Sequence, residues 1–188
     1  MATAELTRAD RRWRLPLGLR SAWLRVYIAI WTATLGSAAL VALCGAAAKA
    51  PVRGLLRLRL KPNAAPELGH VVALASHNIP IAAWPLLLGV IGAHHRRLGR
   101  KVADVVLLTC ILVNTLPVGA ALGAYGTPLL SYIPHLPVEW GGLALGASAW
   151  LLQRRRALGV PEGLALLVLT TCVLLGAAVV ETVAVPHR

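Results

Sequence analysis

The 188-residue chain is 57% hydrophobic and only 14% charged, with a mean hydropathy of +0.70 and a formal net charge of +12. Soluble domains carry about 25% charged residues, so this composition excludes an ordinary soluble domain and indicates an integral membrane protein. The 19 Lys and Arg residues stand in short clusters at the ends of apolar runs, where they set topology and meet anionic headgroups; no nucleic-acid partner is expected.

In chain order, residues 1–21 read as a basic cytoplasmic tail and residues 22–188 as a single transmembrane domain. Five apolar runs follow: Val26–Ala48, Val71–Ala93, Val105–Gly126, Leu129–Leu152 and Leu164–Val185. Each has 22 to 24 residues without Lys or Arg, and about 20 helical residues cross a hydrocarbon core. The expected fold is all-α, an integral membrane bundle of about five transmembrane helices. The fourth run is the least regular. Pro128, Pro134 and Pro137 crowd its first half and proline donates no backbone hydrogen bond, so it is expected to begin as a broken or re-entrant stretch.

Charge orients the bundle. With the amino terminus inside, 13 Lys and Arg residues face the cytoplasm and six the outside, as the positive-inside rule requires. The connector Pro51–Pro62 alternates basic and apolar residues from Arg57 to Lys61, which suits an extended or interfacial segment better than a helix. Ala48-Lys49-Ala50 has the look of a cleavage site, but the apolar stretch before it is too long for a signal peptide.

Cys44, Cys110 and Cys172 lie singly in three runs, as small hydrophobic residues do. No nucleotide-binding, zinc-protease or serine-hydrolase motif is present, so no enzyme activity and no cofactor are expected. Gly119-x-x-x-Gly123 and Gly142-x-x-x-Gly146 are small-residue pairs that let helices approach closely, first within one bundle and second in a homo-oligomer. Five runs do not divide into two equal inverted repeats, which weighs against a stand-alone secondary transporter.

The strongly polar groups inside the runs are His77, Asn78, Asn114, His135 and Glu139, with Glu181 close enough to the end of the last run to reach the interface. An acid at mid-bilayer costs about 2.5–3.5 kcal/mol on insertion scales, so these groups are expected to face protein, water or an ion. At about 1.5 Å rise per residue, Asn114 and Glu139 share a depth near the midplane, and His77, Asn78 and His135 share a shallower one. Three chemistries fit such a polar core: interhelical hydrogen bonds, a proton, ion or substrate site, or a zinc site. His135 and Glu139 at i, i+4 could share a helical face, but no third zinc ligand is assured, so no metal is assigned.

Asn78, then Asn114-x4-Gly119, then Ile133-Pro134-His135-x3-Glu139 before a small-residue-rich helix resembles the stage II sporulation protein M family of bacterial membrane proteins. That family typically shows an Asn-Asn pair, an Asn-Gly with a following Gly, and Pro-His-Gly-x-x-Glu. Here His77, Thr115 and Leu136 stand where the family has the first Asn and two glycines. The likeness covers about residues 71–152. It implies a multi-pass protein of the bacterial cell membrane that works as a subunit or scaffold of a cell-envelope or export assembly. Its partners would be other membrane proteins, such as an envelope hydrolase or transporter subunits, besides the lipid bilayer. The namesake works with a membrane-anchored peptidoglycan-degrading enzyme, and relatives accompany transport components or serve circular bacteriocins. The competing reading is a permease-like component carrying a proton, ion or small substrate through the His/Asn/Glu core.

Overall fold

The structure, a computed structural model, describes residues 18–58, 68–90, 97–155 and 158–184. Among them the chain is all-helical. The elements are α1 (Leu19–Leu43), α2 (Ala46–Leu56), α3 (Leu68–Val90), α4 (Arg97–Tyr125), a 3-10 helix (Thr127–Tyr132), α5 (Leu136–Arg154) and α6 (Val160–Ala184). Four segments, Leu19–Leu43, Leu68–Leu88, Arg97–Tyr125 and Val160–Ala184, are long and apolar enough to cross a membrane. They make the chain a multi-pass membrane protein in contact with the bilayer.

The directions of these helices follow from their contacts. Thr34 and Ala38 of α1 meet Gly119 and Gly123 of α4 in the same order, so these two helices are parallel. Leu19 clusters with Leu152 while Tyr27 bonds Pro137, so α1 and α5 are antiparallel. Leu174 of α6 lies on Gly142 and Glu181 on His135, which makes α5 and α6 antiparallel. Ala82 of α3 meets Gly146 and the Leu86 carbonyl receives Gln153, so α3 runs with α5. Helices α1, α4 and α6 thus run one way, and α3 and α5 the other.

Helix α5 is the axis of the bundle. Thirteen of its 19 residues are buried, and it packs against α1, α3 and α6. Small side chains permit this crowding: Gly141, Gly142, Ala144, Gly146, Ala147, Ser148 and Ala149 place little bulk on any face. A Cβ on Gly146 would run into the Ala82 carbonyl of α3, and one on Gly142 into the Leu174 side chain of α6. The α1–α4 seam is built the same way, because a Cβ on Gly119 or Gly123 would strike the carbonyls of Thr34 or Ala38. Both Gly-x-x-x-Gly pairs are therefore spent on packing within the chain.

The peripheral helices are the opposite of α5. Leu24, Ile28, Leu35 and Leu40 of α1, Val102, Val105, Leu108 and Val113 of α4, and Leu164, Val168, Leu175 and Val179 of α6 are all exposed. Apolar faces of this extent are rare on soluble monomers and suit a hydrocarbon surround. Pro80, Pro85 and Pro117 lie inside α3 and α4 without ending them, as neighbouring helices in a membrane allow.

Two sequence expectations change. Helix α1 begins at Leu19 rather than at Val26, so Arg20 and Arg25 lie inside it; residues 1–17 of the tail fall outside the described part. The connector after it is not extended where it is described, because the alanine-rich Ala46–Ala50 starts a helix that runs through Pro51 to Leu56. Arg57 closes that helix in the left-handed conformation (φ 46°), its N–H donating to the Arg53 carbonyl at 2.9 Å. Most of the alternation from Arg57 to Lys61 lies outside the described residues.

Candidate functional site

Pro134 and Pro137 shape the entry into α5. Proline at the start of a helix forfeits only N–H groups that have no intrahelical acceptor, so the chain turns from the 3-10 helix into α5 with His135 at the N-cap. Two aromatic residues of α1 hold this turn in place. The Tyr27 hydroxyl donates to the Pro137 carbonyl at 3.3 Å and the Trp23 indole donates to the Gly141 carbonyl at 3.0 Å. Their rings are stacked with centroids 4.9 Å apart.

His135 is only 8% exposed. Its Nε2 lies 3.5 Å from Oε2 of Glu139, one helical turn on, and 3.6 Å from Oε2 of Glu181 on α6. One imidazole nitrogen is thereby shared by carboxylates from two helices, and Nδ1 is buried without a partner. The carboxylates of Glu139 and Glu181 are in electrostatic range of each other, and His70, in the first turn of α3, is in range of Glu181. Glu139 also occupies the first turn of α5, where the helix dipole favours negative charge.

Beneath this cluster is a cavity of about 10 Å³ whose walls include Asn78 of α3, Asn114 of α4, and Glu139 and Trp140 of α5. That is about the space one water needs. The Asn114 amide donates back to the Cys110 carbonyl of its own helix at 2.7 Å, so that donor is not used between helices. Three helices nevertheless place a polar side chain on this cavity, and α6 adds Glu181 beside His135.

The structure thus brings Asn78, Asn114, His135 and Glu139 together and leaves His77 out. His77 is exposed on α3. Adjacent residues on a helix are about 100° apart, so His77 and Asn78 could not both face the same cavity. Glu181 is the addition. Its nearness to the end of α6 points to the interface, yet antiparallel packing sets it beside His135. A sequence signal existed: on antiparallel neighbours, an acid near the end of one run and a His near the start of the other share a depth.

Two further polar residues escaped the sequence reading. Asp104 of α4 accepts the Trp150 indole N–H at 2.9 Å and pairs with Arg154 at 3.2 Å, tying α4 to the carboxyl-terminal turns of α5. Gln153 is buried and donates to the Leu86 carbonyl of α3 at 3.3 Å. Among the described residues, no group of three or more His, Cys, Asp or Glu is arranged to hold a metal ion, and Cys44, Cys110 and Cys172 are free thiols.

No protein-family model, curated protein or solved structure matches the chain.

Proposed function

We propose that the chain is a five-span, non-enzymatic protein of the bacterial cell membrane, with its amino terminus in the cytoplasm, that acts as a subunit or scaffold of a cell-envelope or export assembly. The likeness to the stage II sporulation protein M family is part of this reading. Its support is that residues carrying the likeness, Asn78, Asn114 and Glu139, line one cavity although they come from three helices, with His135 3.5 Å from Glu139. Alternating helix directions support five spans, α5 being the fourth. Its 19 residues rise about 28 Å, close to a hydrocarbon core.

The observation that carries the subunit reading is the size of the cavity. About 10 Å³ holds no substrate larger than water, which favours action through partners over passage of a solute. Affinity purification from native membranes followed by mass spectrometry tests it. Stoichiometric envelope or transport proteins should co-purify, and recovery of the chain alone would refute the proposal. Single-cysteine labelling on a background without Cys44, Cys110 and Cys172 tests the topology. The connector near Arg57 should be labelled in intact cells and the Arg155 region protected.

A second reading, a core that carries a proton, is favoured by the shared nitrogen of His135 between two carboxylates. Imidazole flanked by carboxylates is a proton-relay arrangement, and buried ionisable groups in spans commonly serve one. Purified protein in vesicles loaded with a pH-sensitive dye should then dissipate a proton gradient, and Glu139→Gln should abolish the flux.

A further inference from the structure

The end of the bundle opposite the His135 cluster holds a second charged feature. Between the first turns of α1 and the last turn of α5 is a cavity of about 170 Å³ lined by Ser21 and Arg25 from α1 and by Leu151, Leu152 and Arg155 from the end of α5. Arg25 sits six residues, or about 9 Å, into α1 and is exposed, immediately before the apolar run that begins at Val26. Long basic side chains at such a depth bend toward the headgroup level. Here the cavity brings Arg25 to the same space as Arg155.

Arg25 and Arg155, both exposed, line this one cavity from two helices, and an anion bound there would offset the repulsion between their charges. Among the described residues no carboxylate supplies that charge. The arginine ion pair at this end joins Arg154 to Asp104, and among the described residues neither Arg25 nor Arg155 has an acid within 4.0 Å. Arginine forks match phosphate oxygens two at a time, whereas the Ser21 hydroxyl donates its one proton to the Gly18 carbonyl at 2.9 Å. The remaining wall is apolar. Leu151 is half-buried and Leu152 packs in the buried cluster with Leu19, so the two form an apolar wall beside the arginines.

We propose that this cavity binds the phosphate of an anionic phospholipid, with Arg25 and Arg155 as its ligands from two helices. Basic pockets between transmembrane helices are suited to anionic headgroups. The bound lipid would join α1 to the end of α5 where the two helices meet the interface. The proposal does not depend on the partners suggested above.

Native mass spectrometry of the full chain in neutral detergent, titrated with phosphatidylglycerol, phosphatidylcholine or inorganic phosphate, tests it. Phosphatidylglycerol should bind, and phosphatidylcholine, whose choline neutralises its own phosphate, should bind at least about tenfold more weakly, as loss of a charge-assisted contact implies. Arg25→Gln and Arg155→Gln should each weaken phosphatidylglycerol by about tenfold or more, whereas Arg57→Gln at the other end should not. Arg25→Lys, which keeps the charge, should retain part of the affinity and controls for folding. Wild-type binding by the Arg25→Gln/Arg155→Gln double variant, or equal binding of the two lipids, would overturn the site. Inorganic phosphate binding as tightly as phosphatidylglycerol would overturn its assignment to lipid.

Discussion

The α1–α4 seam and the α5–α6 junction solve the same problem with different chemistry. At the seam, Gly119 and Gly123 bring backbone against the carbonyls of Thr34 and Ala38, and the Ser37 hydroxyl donates to the Leu116 carbonyl at 3.0 Å. No ionisable group takes part there. At the junction, Gly142 admits Leu174, and about two turns above it His135 stands between Glu139 and Glu181. Van der Waals packing alone can join helices in lipid, so the seam shows that ionisable groups were not needed to close the bundle. Their presence at the junction, at the cost of burying them, is what makes it the candidate site.

The contrast can be broken most severely at the seam. Gly119→Leu should cost about 3 kcal/mol, the upper end for overpacking, because a clash with the Thr34 carbonyl cannot be relieved by a rotamer change. Heating in detergent monitored by size-exclusion chromatography would register it as early aggregation. Gly36→Ala on α1, where an added Cβ meets nothing within 4 Å, should leave the profile unchanged.

At the junction the effect should appear first in function and then in stability. Glu139→Gln keeps size and most hydrogen bonding but cannot ionise, so the chain should insert at normal levels and, if the core carries a proton, fail to complement a deletion strain. Glu139→Leu should in addition destabilise, by removing one of the two carboxylates that face His135 and the acidic wall of the cavity. Full complementation by the Gln variant would make the junction a structural contact only.

Smaller effects sharpen the boundary of the site. Trp150→Phe removes the indole bond to Asp104 and should cost about 1 kcal/mol, read as a modest drop in melting temperature. Asn114→Ala should cost less than about 1 kcal/mol, near the average for polar contacts between membrane helices. His77→Ala should change neither melting nor complementation, since the side chain lies outside the cluster; a loss of function there would return it to the site.

Much of this bundle was legible in the sequence. Long apolar runs marked α1, α3, α4 and α6, and matched depth placed Asn114 with Glu139. Depth alone, however, carries no rotation. It grouped His77 with Asn78 although a helix turns one of them away, and it assigned Glu181 to the interface because the identity of its neighbour is a property of packing. The start of α1 was misplaced because Arg20 and Arg25 were read as ends of a span, whereas long side chains let a helix begin before them. At Pro51 local pattern misled in the other direction, since the alanine run preceding it carries enough helix propensity to continue through the proline. The Asp104 clasp stayed hidden because its partners, Trp150 and Arg154, are 46 and 50 residues away.

A double-mutant cycle between His135 and Glu181, read as unfolding stability in detergent, tests the polar junction most directly. His135→Ala, Glu181→Gln and their combination should be non-additive, with a coupling of about 0.6–1.7 kcal/mol, the range for polar pairs between membrane helices. Strictly additive losses would mean that the two side chains do not meet, and the junction between α5 and α6 as described would be wrong.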